Sequence, residues 1–213
     1  MIIDPSQQST RSIYRLLVST VLPRPIAWVS TQNRDGVINV APYSFFQVVG
    51  SRPPMISLSI GQREWNGARV KKDTLRNIED SGEFVVNIAT VPNLEQINQS
   101  SAEYAPDESE AKALELTMIP SQVVATPRIA DSPIHFECKL DRVLMLGDEP
   151  QVGLVIGEVV RAHVADELWD ADTESVDPSR LNPLARLGGS LFASVGQRYD
   201  RPRPGPVAPR SDK

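Results

Sequence analysis

Apolar and polar residues along this chain switch repeatedly between a period of two and a period near 3.6. Each switch predicts an element. Residues 10–19, TRSIYRLLVS, place Ile13, Leu16 and Leu17 on one side of a short helix. Ile26 to Thr31 is a β-branched and aromatic run, so it predicts a strand. Asn33, Asp35 and Gly36 supply turn chemistry, and Val37 to Val40 starts a second strand, which together predict a hairpin. Strands follow at Ser44 to Val49 and Met55 to Ile60, separated by the breaker Arg52-Pro53-Pro54. Asp73 is placed to cap a helix from Thr74 to Asp80, which Gly82 would end. Glu83 to Ala89 alternates and reads as a strand.

Residues 92–116 carry helical spacing, with Leu94 and Ile97, then Ala111, Leu114 and Leu116. The stretch PDESEAKALEL opens on a proline and acids, as a helix N-terminus does. Residues 133–147 and 151–164 are long alternating strands joined by a Gly-Asp-Glu-Pro turn. Pro178 to Leu187 predicts a short helix closed by Gly188-Gly189, and 190–196 a last strand. Seven or eight strands arriving as hairpins, with three or four helices between them, predict a mainly β protein. The architecture expected is a closed or half-closed antiparallel barrel with peripheral helices, not a doubly wound sheet. No repeat or boundary interrupts residues 1–200, so one domain is expected there. Residues 201–213 form a proline-rich tail of extended, polyproline character.

Composition narrows the function. The chain has 213 residues, 40% of them hydrophobic and 23% charged, which suits one sizeable core. A formal charge of −5 argues against a nucleic-acid binder or a partner at an anionic membrane surface. One cysteine, Cys138, cannot form an internal disulfide and reads as a buried structural thiol. The N-terminus lacks a signal-peptide pattern and no apolar run is long enough to span a membrane, so the expected compartment is the cytoplasm. Eighteen prolines suit a β-rich chain with many short connections.

Candidate chemistry lies in two segments. Asn39 to Ser44 (NVAPYS) reads as a small-residue loop whose backbone can approach a ligand, with Asn39 and Ser44 adding side-chain donors. It equally fits a turn that satisfies its own backbone. Lys72-Asp73-Thr74 sets a positive charge and a hydroxyl at a helix start, and these converge on a phosphate or, alternatively, face solvent as a plain cap. Arg24, held extended by Pro25, suits a bidentate phosphate contact or an exposed position. Trp28 fits a flat ring or the core. Ser57 and Ser59 share one strand face and would meet either a polar ligand or solvent. His135 and His163, the two histidines, read as satisfied strand residues. Metal-ligand spacing, a Walker loop, GxGxxG and GxSxG are all missing from the sequence, so hard chemistry would fall to a bound cofactor.

The order of these motifs resembles the flavin reductase-like family of FMN-binding split barrels. The matching residues are Pro23, Arg24, Pro25, Ala27, Val29, Ser30 and Thr31, then Gly36, and Asn39 with Ala41 to Phe46. Pro53-Pro54, Lys72-Asp73-Thr74, Asn77 and Gly82 to Asn87 follow, with later matches at Ser132-Pro133, Glu137-Cys138, Gly157 to Val159 and Arg186 to Gly189. Where the family often carries a tyrosine, this chain has Ser190-Leu191-Phe192.

The resemblance implies an antiparallel Greek-key split barrel, a homodimer, and FMN (less often FAD) near the subunit interface. The phosphate would meet Ser44, Lys72 and Thr74, with Ser57 or Ser59. The ring would lie along Pro25 to Thr31 and Asn39 to Pro42. Asp73 and Asn77 belong to the same implied set. The implied activity is an NAD(P)H-dependent flavin reductase, alone or as the partner of a monooxygenase, with no protein acid or base assigned. The alternatives are an FMN-binding electron carrier lacking a nicotinamide site, and an oligomeric barrel that binds no flavin.

Overall fold

The computed structural model describes residues 1–106 and 108–205. Helix α1 spans Thr10–Thr20, and strands β1 (Arg24–Pro25), β2 (Ala27–Gln32), β3 (Ile38–Tyr43), β4 (Phe46–Ser51), β5 (Pro54–Trp65) and β6 (Ala68–Lys71) follow. Helix α2 (Asp73–Ser81) leads into β7 (Glu83–Ile88), then α3 (Leu94–Gln99) and α4 (Glu110–Ala113). The short strands β8 (Met118–Ile119) and β9 (Arg128–Ile129) precede the long hairpin of β10 (Ile134–Leu146) and β11 (Val152–Val164). The chain then forms β12 (Trp169–Asp170), β13 (Ser175–Val176), α5 (Pro178–Leu181), β14 (Ala185–Arg186) and β15 (Phe192–Ala193).

The main sheet runs β3-β2-β7-β10-β11-β5-β4, every pair antiparallel, with β6 added to β5. Its two end strands, β3 and β4, are consecutive in the chain. Phe45, between them, accepts a hydrogen bond from the Ser59 N–H at 2.9 Å. The chain therefore steps from one edge of the sheet onto the other, and the sheet curls into a barrel. The barrel core holds Ala27, Val29, Ile56, Leu58, Ile60, Phe84, Val86 and Val155, joined by Leu75 and Ile78 of α2. A second core, with Ile26, Trp28, Val40, Ile97, Ala111, Ile129 and Leu184, fills the space between the outer face of β2–β3 and the helices α3 and α4. β2 is thus buried on both faces.

Two glycines of β11 make the barrel's tight packing possible. A Cβ on Gly157 would lie 2.5 Å from Cζ of Phe84, and one on Gly153 would lie 2.8 Å from Cδ2 of Leu75. Both partners are fully buried, so neither can swing aside. Gly157→Ala should therefore cost about 1–3 kcal/mol through overpacking, read as a lower midpoint of urea denaturation at unchanged slope.

Several expected elements differ. The expected loop at Asn39 to Ser44 is mostly strand: Trp28 pairs with Pro42 and Ala27 with Tyr43, leaving Ser44 and Phe45 as the turn. Pro42 is tolerated because β3 is an end strand of the sheet. Asp73 lies inside α2 and does not cap it; Lys72 is the N-cap and makes no side-chain capping bond. Gly82 ends α2 in the left-handed conformation as expected, with φ of 71°. The helix expected to Leu187 stops at Leu181, because Asn182 turns left-handed and Ala185–Arg186 pair with β1. Helical structure within 92–116 shrinks to α3, α4 and a short turn at Val91–Asn93. Asp107, in the expected start at PDESEAKALEL, lies outside the described residues, as do residues 206–213 of the tail. Among the described residues, no helix is long and apolar enough to cross a membrane.

Candidate functional site

The edge strand β3, the start of α2 and the segment after α3 enclose a cleft. Its first compartment, about 140 Å³, is lined by Asn39, Ala41, Pro42, Tyr43, Arg63, Lys72, Asp73, Thr74, Glu110 and residues 100–104. Pro42 and Ser101 also line a second compartment of about 130 Å³, walled by Ile26, Ile97, Ser44, Arg186 and Phe192. The first end is polar and charged. The second has apolar walls and an aromatic ring.

The polar end owes its character to α2. A helix leaves its first N–H groups without intrahelical partners, and the N-cap residue Lys72 makes no side-chain capping bond to them. Lys72 stands at that terminus, half-buried, with Nζ 5.8 Å from the centre of the Tyr43 ring. Burial lowers its pKa, with the Arg63 charge adding to the effect against Glu103. A positive charge beside free helix N–H groups is an anion site in form. Arg63, from β5, adds a second cation. Its Nη2 bridges Asp73 at 2.9 Å, its Nη1 donates to the Tyr104 carbonyl at 2.9 Å, and its guanidinium lies 4.9 Å from the Trp65 ring centre. Asp73 also pairs with Arg76 at 2.5 Å. Its carboxylate is thus held by two arginines, which explains why it is not a cap.

Behind this wall runs a chain of buried hydrogen bonds with one direction. Glu110 accepts from Asn39 Nδ2 at 2.6 Å and from the Val40 N–H at 3.0 Å. Asn39 Oδ1 then accepts from Thr74 at 2.7 Å and from Thr31 at 3.3 Å, and Thr31 accepts from Asn77 Nδ2 at 3.1 Å. An ionised carboxylate only accepts, so Glu110 sets the orientation of the Asn39 amide and, through it, of each hydroxyl. Burial pushes the Glu110 pKa up, opposed by the hydrogen bonds it receives. Thr74 is committed as a donor to this chain. Its one hydroxyl proton goes to Asn39, so the Thr74 side chain offers a ligand lone pairs and no donor. The Thr74 backbone N–H, at the helix start, is the group suited to an anion.

The residues named from the sequence therefore separate. Asn39, Ala41, Pro42, Lys72, Asp73 and Thr74 line the first compartment, and Pro42 and Ser44 the second. Ala27 and Val29 lie fully buried in the barrel core and reach no cleft, because β2 is covered on both faces. Ser30 is buried too, donating to the Pro127 carbonyl and accepting from Asn87. Thr31 and Asn77 belong to the network behind the wall, with Asn77 Oδ1 lacking a partner among the described residues. Arg24 is buried and spends its donors on structure. It donates to the carbonyls of Val18 (2.6 Å), Val21 (3.0 Å) and Leu187 (2.9 Å), and to Ser44 Oγ (3.3 Å). Pro25 is exposed on β1. Ser57 and Ser59 alternate with the inward Ile56, Leu58 and Ile60, so they face out of the barrel and line neither compartment.

Residues the sequence reading did not single out for the site are Arg63, Glu110, Ser101, Arg186 and the aromatic wall at Phe192. Nothing local flags them, since they reach the cleft from five separate segments. His135 is satisfied as expected: its Nε2 lies 2.8 Å from the Ile129 carbonyl, and burial first, then Arg128, holds its pKa down at about 4. His163 pairs with Glu137 at 2.6 Å, far along the sheet. Burial drives the Cys138 thiol pKa up, as befits an inert core thiol.

Comparison with known proteins gives one consistent picture. The profile described as "Flavin reductase like domain" matches residues 18–178. Nitrilotriacetate monooxygenase component B from Bacillus cereus is 38% identical with a TM-score of 0.88, the match covering 94% of this chain and 98% of that one. The 2-nitrobenzoate 2-nitroreductase NbaA of Pseudomonas fluorescens is 32% identical with a TM-score of 0.84, covering 98% and 100%. A split-barrel-domain protein from Shewanella frigidimarina, 23% identical with a TM-score of 0.81 over 96% and 100%, shares the fold.

Proposed function

This chain belongs to the flavin reductase-like domain family, and from that premise we propose that it is an oxidoreductase that binds FMN along β3 and reduces it with NAD(P)H. The observation that carries the reading is the uncapped start of α2, opening with Lys72 into a cleft whose other end is apolar. Lys72 and the N–H groups of the first α2 turn would hold the phosphate, with Arg63 adding charge from the side. Ile26, Pro42, Ile97 and Phe192 would offer the ring flat apolar contact. FMN, when bound, supplies the capacity to accept a hydride and release electrons singly or in pairs. The protein's part is to place the ring, exclude water from one face and leave the other open to a second planar molecule.

Each compartment alone is far smaller than a complete flavin site, which ranges from about 300 Å³ upward for ligands of that class. A second copy of the chain would complete it. Phe45, next to the cleft residue Ser44, and Val48 and Val49 of the end strand β4 are exposed apolar residues, the kind of surface a partner covers. The likeness to a monooxygenase component favours an oxygenase as electron acceptor. The test is direct: record the flavin spectrum of the purified protein, then follow NADH and NADPH oxidation with and without added FMN. Turnover that depends on FMN supports the reading. Bound flavin without nicotinamide oxidation would favour an electron carrier, and failure to take up FMN would overturn both.

A further inference from the structure

A third cavity adjoins the apolar end of the cleft, sharing Ser44 and Arg186 with it. It measures about 270 Å³ and lies between α1 and the turn after β14. Four arginines line it: Arg11, Arg15, Arg24 and Arg186. Arg11 and Arg15 stand one helical turn apart on the same face of α1, exposed, as residues i and i+4. Among the described residues, no acidic side chain lines the cavity. Among the described residues, none of the four has a carboxylate within salt-bridge distance.

This is unexpected in a chain of net charge −5. Like charges gathered in a concavity repel, and the fold gains little from Arg11 or Arg15, whose side chains make no hydrogen bond among the described residues. Arg24 is different. It ties α1 to β1 and to Leu187, so it forms a fixed positive floor. The Arg24 pKa is lowered, first by burial, with Arg186 adding to the effect, as expected for a cation facing another cation. Arg186 has one donor on the Gly189 carbonyl, stacks 4.3 Å from the Phe192 ring centre and lines the cavity. A multiply charged anion would relieve this repulsion and satisfy the free guanidinium donors.

We propose that the four-arginine cavity binds the diphosphate of a dinucleotide whose ring reaches the mouth of the neighbouring apolar compartment. The anion site stands on charge and shape; its assignment to the nicotinamide donor rests on the reductase reading above. Two sources share this chemistry, the diphosphate of NAD(P)H and that of FAD. The reductase reading favours the first, since FMN would already fill that compartment and leave only its outer face to the nicotinamide.

The decisive experiment uses the double variant Arg11→Gln/Arg15→Gln, two exposed changes that leave Arg24 and its structural bonds intact. Calorimetric titration with inorganic pyrophosphate should show binding to the wild type and at least about a tenfold loss in the variant. The KM for NADH or NADPH should rise by a similar factor at unchanged kcat, with FMN affinity unaltered. A fall in FAD affinity at unchanged KM would assign the same site to the flavin's own diphosphate. A wild type that binds no pyrophosphate overturns the proposal. So does a variant that loses pyrophosphate affinity while KM and FAD affinity stay put. The pyrophosphate titration needs no flavin, so a protein that takes up no FMN would sink the reductase reading and still leave the anion site measurable.

Discussion

Replacing Glu137 with alanine is expected to lower the stability of this protein by about 3–5 kcal/mol, the scale of leaving several donors without the charged acceptor they converge on. For a domain of this size, that is a fall of roughly 10 °C in melting temperature. Glu137 is fully buried, and four donors converge on it. The N–H groups of Gln122, Val123 and Val124 approach at 2.8, 2.6 and 3.1 Å, and His163 Nε2 at 2.6 Å. Without the carboxylate, the loop before β9 loses its anchor and three amides lose their acceptor.

The same site predicts an acid transition. Burial by itself would raise the Glu137 pKa, but Gln122, His163, Val123 and Val124 outweigh it and hold the value at about 2, against an ordinary 4.5. A depressed carboxylate contributes stability above its unfolded pKa and loses it as pH falls through the folded one. The loss should therefore develop below pH 4.5 and be complete only below about pH 2. His135, held at about 4 against 6.5, loses its share in a higher window. Glu137→Gln should diminish the lower phase and keep the upper. Denaturation midpoints measured across pH 2–7 check this, and a variant with the wild-type acid profile would refute the anchoring role.

Lys72→Ala is expected to weaken FMN binding about 10- to 100-fold, the loss of one charge-assisted phosphate contact of about 1.5–3 kcal/mol. Riboflavin, which lacks the phosphate, should bind the variant as it binds the wild type. Fluorescence titration with both ligands separates the outcomes. An equal loss for both would mean that Lys72 shapes the cleft without touching phosphate. No loss for either would move the phosphate away from α2. Thr74 is not the better target, because its hydroxyl proton is already given to Asn39.

Much of the fold was legible in the residues. Alternation located the long β10–β11 hairpin within a residue or two, and Gly82 marked the end of α2. Short strands were not legible. β14 exists because Asn182 ends a helix and Arg24–Pro25 wait across the sheet, and no local periodicity records that pairing. Asn39 could be picked out as a polar residue among small ones. Its partner Glu110 lies 71 positions away, in a segment that reads only as a helix start. Ser57 and Ser59 shared a face as period two requires, but which face looked inward depended on Ile56, Leu58 and Ile60 finding the barrel core.

The sequence by itself determined the class of the fold, the family and the two segments, 39–44 and 72–74, that border the cleft. These rest on local patterns: side-chain periodicity, turn chemistry, and motif order along one chain. Only the tertiary structure decided which residues of those segments face a ligand. It put Ala27, Val29 and Ser30 in cores because β2 is covered on both sides, and turned the expected loop into an edge strand. It also brought Arg63, Glu110 and Phe192 to the cleft, and Arg11, Arg15, Arg24 and Arg186 to one cavity. Charge and hydrogen-bond direction act through space, and residues far apart in sequence acquire them only when the barrel closes.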